Sequence, residues 1–157
     1  MRVFAFVDGF NLYHALLSLK DRSLKWVDLR ALVSCYLEDG DELGRVYYFS
    51  ALLESNPEKK DRHLKYINAL ETKGVTIVLG KFKMLEDVFL NRCDKMILVT
   101  ADTDFVSTVK KIRKLFSKKK IILLAPPSRF KQCHELRKAV HASLEIKKAH
   151  IKKSLLD

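Results

Sequence analysis

The 157-residue sequence predicts an α/β fold built on a mainly parallel sheet. Three observations predict it. Short apolar, β-branched runs alternate with helical periodicities, helix start and stop signals punctuate them, and neither repeats nor low-complexity linkers intervene. The first run, Val3 to Val7, is a strand, and a helix follows from about Asn11 with Leu12, Leu16 and Leu19 on one stripe. Arg45 to Ala51 is a second strand. Asn56-Pro57 then gives an N-cap followed by proline at the first helical position, and Glu58 adds negative charge to the first turn. That helix runs to about Thr72, with Gly74 as its stop. Val75 to Leu79 is a third strand, and a short helix is expected around Met84 to Asn91. Met96 to Thr100 is the fourth strand. In the helix after it, Phe105, Val109, Ile112 and Phe116 recur at helical spacing, with Lys110, Lys111, Arg113 and Lys114 mostly on other faces. Ile121 to Ala125 is a fifth strand, ended by Pro126-Pro127, and the chain from Arg129 to Asp157 reads as largely helical. The length fits one domain over 1–157, with a basic part from about 129.

Composition excludes several classes. A hydrophobic fraction of 48% can bury a core, which argues against wholesale disorder. Asp8 interrupts the first apolar run too early for a secretory signal, and no stretch approaches the ~20 apolar residues of a membrane helix. The three cysteines, Cys35, Cys93 and Cys133, are odd in number and widely spaced, so neither a disulfide framework nor a C-x-x-C metal clip is present. A reduced, cytoplasmic setting is expected.

Charge is concentrated in one block. Residues 1–109 carry 15 basic and 16 acidic side chains, whereas residues 110–153 carry 15 basic and 2 acidic ones, a net of +13. Such a block points to a polyanion, of which nucleic acid is the commonest in the cytosol; the bland reading is a lysine-rich solvated surface.

Two strand ends carry acids. Asp8 follows Phe6-Val7, and Asp102 and Asp104 follow Leu98-Val99-Thr100-Ala101. Ligands of open parallel sheets bind beyond the carboxyl ends of the strands, where the strand order reverses. If the first and fourth strands flank that point, the three carboxylates share one pocket, and a hard divalent cation, Mg²⁺ or Mn²⁺, would hold them together. The alternative is that Asp8 begins a turn while an acid of Asp102-Thr103-Asp104 caps the next helix. Other chemistries lack their residues. Phe10 occupies the place of an aspartyl phosphatase's second acid, no P-loop or Gly-x-Ser-x-Gly string exists, and the five histidines lack metal spacing.

Phe6-Val7-Asp8-Gly9-Phe10-Asn11-Leu12-Tyr13-His14 resembles the opening motif of the NYN domain, the LabA-like branch of the PIN-like nuclease superfamily. Leu98-Val99-Thr100-Ala101-Asp102-Thr103-Asp104-Phe105 is similar to that family's second motif, S-G-D-S-D-F. Tyr47-Tyr48-Phe49-Ser50-Ala51, Gly80-Lys81-Phe82-Lys83 and Ala125-Pro126-Pro127 fall where bacterial members have similar strings. The resemblance implies a PIN-like three-layer α/β/α sandwich and a metal-dependent ribonuclease. Asp8, Asp102 and Asp104 would be its metal-coordinating acids, Asn11 their polar partner, and Thr100 and Thr103 the hydroxyls that shape the site.

Family members continue from the Gly-Lys-Phe-Lys string through a loop, sometimes with paired cysteines, to a helix whose first turn supplies another acid. Here Lys83 runs directly into Met84-Leu85-Glu86-Asp87-Val88, leaving Glu86 and Asp87 as substitutes for that ligand. RNA phosphates would follow Lys110, Lys111, Arg113 and Lys114, then Lys118, Lys119 and Lys120, and Arg129 and Lys131. The rival expectation is a catalytically degraded domain of this type acting as an RNA-binding or scaffold protein.

Overall fold

A computed structural model describes residues 1–50, 56–79, 87–88 and 90–156. Its centre is a six-stranded sheet in which every neighbouring pair is parallel, with the spatial order β3-β2-β1-β4-β5-β6. The strands are β1 (Arg2–Asp8), β2 (Glu42–Ser50), β3 (Val75–Leu79), β4 (Lys95–Val99), β5 (Lys120–Ala125) and β6 (Ala142–Glu145). The helices are α1 (Gly9–Leu17), α2 (Leu29–Ser34), α3 (Pro57–Thr72), α4 (Val106–Leu115), α5 (His134–Ala139) and α6 (Lys148–Lys152). Helices on both faces complete the expected α/β/α sandwich.

Alternating side chains of the parallel strands feed two cores, because successive residues of a strand point to opposite faces. Val3, Ala5 and Val7 pack beneath Leu12 and Leu16 of α1, Leu32 of α2 and Leu70 of α3. Phe4 and Phe6 pack on the other side, in the core that contains Val109 and Ile112 of α4 and Leu136 of α5. The chain therefore winds outward from β1 through β2 to β3, crosses to β4, and winds the other way to β6. β1 pairs with both β2 and β4, so the order reverses at the β1–β4 junction.

The caps behave as the sequence dictates. Asn56 is the N-cap of α3, its Oδ1 accepting from the Glu58 amide at 3.0 Å and the Lys59 amide at 3.3 Å, with Pro57 at the first helical position. After Lys73, Gly74 turns the chain into β3 at φ +82°, a conformation that suits glycine.

Three elements depart from expectation. The region from Arg129 on is not largely helical, because β6 adds an edge strand beside β5. Its exposed and half-buried residues supply no apolar run to betray it. A 3₁₀ turn at Arg22–Lys25 and the short α2 fill a stretch in which no element was expected, and Asp28 caps α2 through the Arg30 and Ala31 amides. The helix after β4 begins as a 3₁₀ turn, Thr103–Phe105, before α4. Half of the short helix expected at Met84 to Asn91 and the whole Gly80-Lys81-Phe82-Lys83 string lie outside the described residues, and the described pair 87–88 is helical.

The cap makes a measurable claim. Asn56→Ala should destabilise the fold by about 1 kcal/mol in urea unfolding, since two amides of the first turn lose their acceptor. An unchanged midpoint would show that α3 is held by its packing alone.

Candidate functional site

The β1–α1 corner and the exit of β4 are joined by side-chain hydrogen bonds. Asp8 ends β1 and caps α1, its Oδ1 accepting from the Asn11 amide at 3.2 Å. Its other oxygen, Oδ2, accepts from the Thr100 hydroxyl at 2.9 Å. The same Thr100 Oγ1 accepts from the Asp102 amide at 3.1 Å. Asn11 completes the link, its Oδ1 accepting from the Ala101 amide at 2.9 Å. Asp102 in turn caps the 3₁₀ turn, accepting from the Asp104 amide at 2.9 Å. Asp8, Asn11, Thr100, Asp102, Thr103 and Asp104 thus share the carboxyl edge of the sheet at the β1–β4 reversal.

Both acids that line the reversal also cap the element that follows them. The capping reading and the site reading describe the same side chains. Gly9 is required where it stands: a Cβ there would lie 2.7 Å from the Phe49 carbonyl oxygen and 2.4 Å from the Tyr48 ring. This close approach lets α1 start flush against β2 and carries Asp8 with it.

Burial pushes the Asp8 carboxyl above the ordinary aspartate range; the Asn11 amide and the Thr100 hydroxyl pull it back, and negative charge on Asp102 adds to the rise. Asp102 therefore lies near enough for its charge to act on Asp8. Among the described residues no group of three or more His, Cys, Asp or Glu is close enough to hold a metal. The donor set is a pair, Asp8 and Asp102, with Asp104 exposed on the adjoining turn. All are hard oxygen donors. One or two carboxylates, completed by water and phosphate oxygens, is a set that Mg²⁺ accepts, so the residues fit such an ion.

Asp87 is fully buried, with Oδ1 held by Arg92 Nη1 at 3.0 Å, and it acts on Tyr47 and Cys93. Arg92 already neutralises it, so it does not extend the Asp8–Asp102 pair. Glu86 lies outside the described residues.

The basic residues divide by edge. Arg129 and Lys131 follow the carboxyl end of β5 and lie on the acids' edge. Lys110, Lys111 and Lys114 are exposed on α4, while Arg113 donates to the Ala139 carbonyl at 2.9 Å and ties α4 to α5. Lys118, Lys119 and Lys120 are the exception to the expected phosphate track. Lys120 opens β5 opposite Lys95, so the run sits at the amino edge, about 16 Å along the strand from Ala125. Lys119 donates to the Cys93 carbonyl at 2.7 Å and to Asn91 Oδ1, a tether of the loop before β4.

Beside the acids, between α1 and α3, lies a cleft of about 610 Å³ whose lining includes Gly9, Phe10, Trp26, Tyr48 and Lys59. At it, Ser50 Oγ lies 2.7 Å from His63 Nε2, and burial lowers the pKa of that imidazole. This feature leaves no mark in the sequence, because the cations around it are scattered among acids and cancel in any regional charge count.

The Asp8 shift has a sign that can be checked. Folded protein retains a proton that the unfolded chain has lost, so stability falls as pH rises through the window above 3.8. In metal-free buffer Asp8→Asn should therefore melt above the wild type at neutral pH, with the gap closing below that value. A variant that melts lower at neutral pH would show that the charged carboxylate stabilises the corner.

No curated protein matches the chain. A crystal structure of a Vibrio parahaemolyticus protein of unknown function shares the fold, with a TM-score of 0.67 at 18% identity, covering 99% of this chain and 96% of that one. The NYN domain family model matches residues 2–147, a span that contains both acidic strand ends. With that match across nearly its whole length, the chain belongs to the NYN domain family, within the PIN-like nuclease superfamily.

Proposed function

We propose that the chain is a single-domain cytosolic ribonuclease of the LabA-like branch that hydrolyses RNA phosphodiesters with Mg²⁺ or Mn²⁺. The observation that carries this reading is the Thr100 hydroxyl at the reversal of strand order, which donates to the Asp8 carboxylate at the end of β1 and accepts from the Asp102 amide beyond β4. Asp8 and Asp102 would hold the ion, with Asp104 reaching in from the turn. When bound, a divalent cation supplies neutralisation of phosphate charge and acidification of the attacking water.

The chain's own residues do the rest. Thr100 fixes the rotamer of Asp8, and Asn11 fixes the β4 exit that carries Asp102. Asp104, exposed on the turn, would orient the attacking water and take its proton. Arg129 and Lys131, on the same edge, and Lys110, Lys111 and Lys114 along α4 contact phosphates without reading sequence. Thr103 shapes the turn between the two acids.

A second reading is favoured by one observation: the described residues bring no third carboxylate to the pair. On that reading the fold binds RNA or scaffolds a partner without cutting. Cleavage of a labelled RNA in the presence of Mn²⁺ separates the two. The nuclease reading expects cleavage by the wild type at millimolar Mn²⁺, falling at least ~100-fold in Asp102→Asn and Asp104→Asn with binding retained. Wild-type protein that binds RNA but never cleaves it would establish the second reading instead.

A further inference from the structure

The cleft between α1 and α3 has a composition that packing does not require. Phe10 and Trp26 line it while remaining 58% and 41% exposed. Each ring is braced edge-on by a neighbour, Phe10 by His14 at 4.3 Å between centroids and Trp26 by Tyr66 at 5.7 Å. Apolar rings left in contact with water cost free energy unless something covers them, and braced rings offer a fixed platform.

Charge names the covering group. Lys20, Arg22, Lys25, Lys59 and Arg62 line the same cleft, and Asp21 is the one acid among its described lining residues. That carboxylate is occupied by Ser23, through its hydroxyl at 2.7 Å and its amide at 3.1 Å. Lys59 and Arg62 stand on the first two turns of α3, whose N-terminus adds further positive potential. Aromatic platforms interleaved with cations are what a single-stranded nucleic acid needs: bases stack on the rings while phosphates follow the charges. A duplex is a poor occupant, since its bases stack on one another and offer no open face to a side chain.

The cleft also borders the corner that carries Asp8. Gly9 adjoins Asp8 in the chain, and the charge of Asp8 acts on Tyr48, so two lining residues border the corner. We propose that this cleft seats the nucleotide flanking the scissile phosphate of single-stranded RNA, its base against Phe10 and Trp26 and its phosphates along Lys59 and Arg62. The proposal rests on the ribonuclease reading and gives its substrate a path. The strand crosses the carboxyl edge from the Arg129–Lys131 side to the α3 side, and the Lys118–Lys120 run lies off that path.

Fluorescence anisotropy in EDTA, where no cleavage intervenes, tests it with a short labelled oligouridylate and an abasic ribose-phosphate strand of equal length. Wild type should prefer the oligouridylate about tenfold or more, and Phe10→Ala/Trp26→Ala should erase that preference. Phe10→Ala alone, at an exposed helix position, should remove part of it without threatening the fold. Lys59→Gln/Arg62→Gln should weaken both strands and lower the salt slope by about 0.7 for each lost contact. Folded aromatic variants that keep the wild-type preference, or a wild type with none, would overturn the proposal. Its failure is separable from that of the nuclease reading. Inactive protein with the base preference intact refutes only the latter, whereas active protein whose aromatic variants bind and cut as wild type refutes only the former.

Discussion

The Thr100 hydroxyl is the interaction on which the site depends. Its residue is fully buried at the end of β4, donating to Asp8 and accepting from the Asp102 amide. A hydrogen bond to a charged acceptor is worth about 1.5–3 kcal/mol, more than a neutral one, and here it works against repulsion between two acids. Without it, burial and like charge would drive Asp8 to protonate or swing out. With it, the Asp8 carboxylate is held beside the backbone that carries Asp102, at the junction where the described sheet changes its winding direction.

That junction is a product of the parallel topology. β1 has its crossovers on one face, through α1 and α2, and β4 has its own on the other, through α4. The loops leaving them therefore diverge, and the crevice between them opens at the carboxyl edge. The cap chemistry of Asp8 and Asp102 serves both ends. The same oxygens that satisfy the first amides of α1 and of the 3₁₀ turn are fixed in orientation by doing so.

Much of this was legible in the sequence. Val3 to Val7, Val75 to Leu79 and the Asn56-Pro57 cap carry strong local signals, and the structure places elements there within a residue or two. Asp8 and Asp102 could be paired because strand-end acids bracket a known kind of crevice. β6 was illegible because an exposed edge strand lacks an apolar run, and α2 because six residues are too few for a periodicity. The place of the lysine run at 118–120 was illegible for a different reason. A charge count records sequence neighbourhood, whereas the sheet puts those residues at the opposite edge from the acids. Conversely Phe10, Trp26 and Lys59, from three separate segments, meet only through the packing of α1 and α3 over β2.

The central claim is that Asp8, held by Thr100, and its neighbour Asp102 form a divalent-cation centre. Uptake of Mn²⁺, followed by the loss of the free-ion electron paramagnetic resonance signal in the absence of RNA, tests it most directly. The account predicts one weak, millimolar-range site in the wild type, since so few carboxylates bind a hard cation loosely. That site should vanish in Asp8→Asn and weaken in Thr100→Val while the protein stays folded. Uptake by Asp8→Asn that matches the wild type would contradict the account, because the ion would then be held elsewhere.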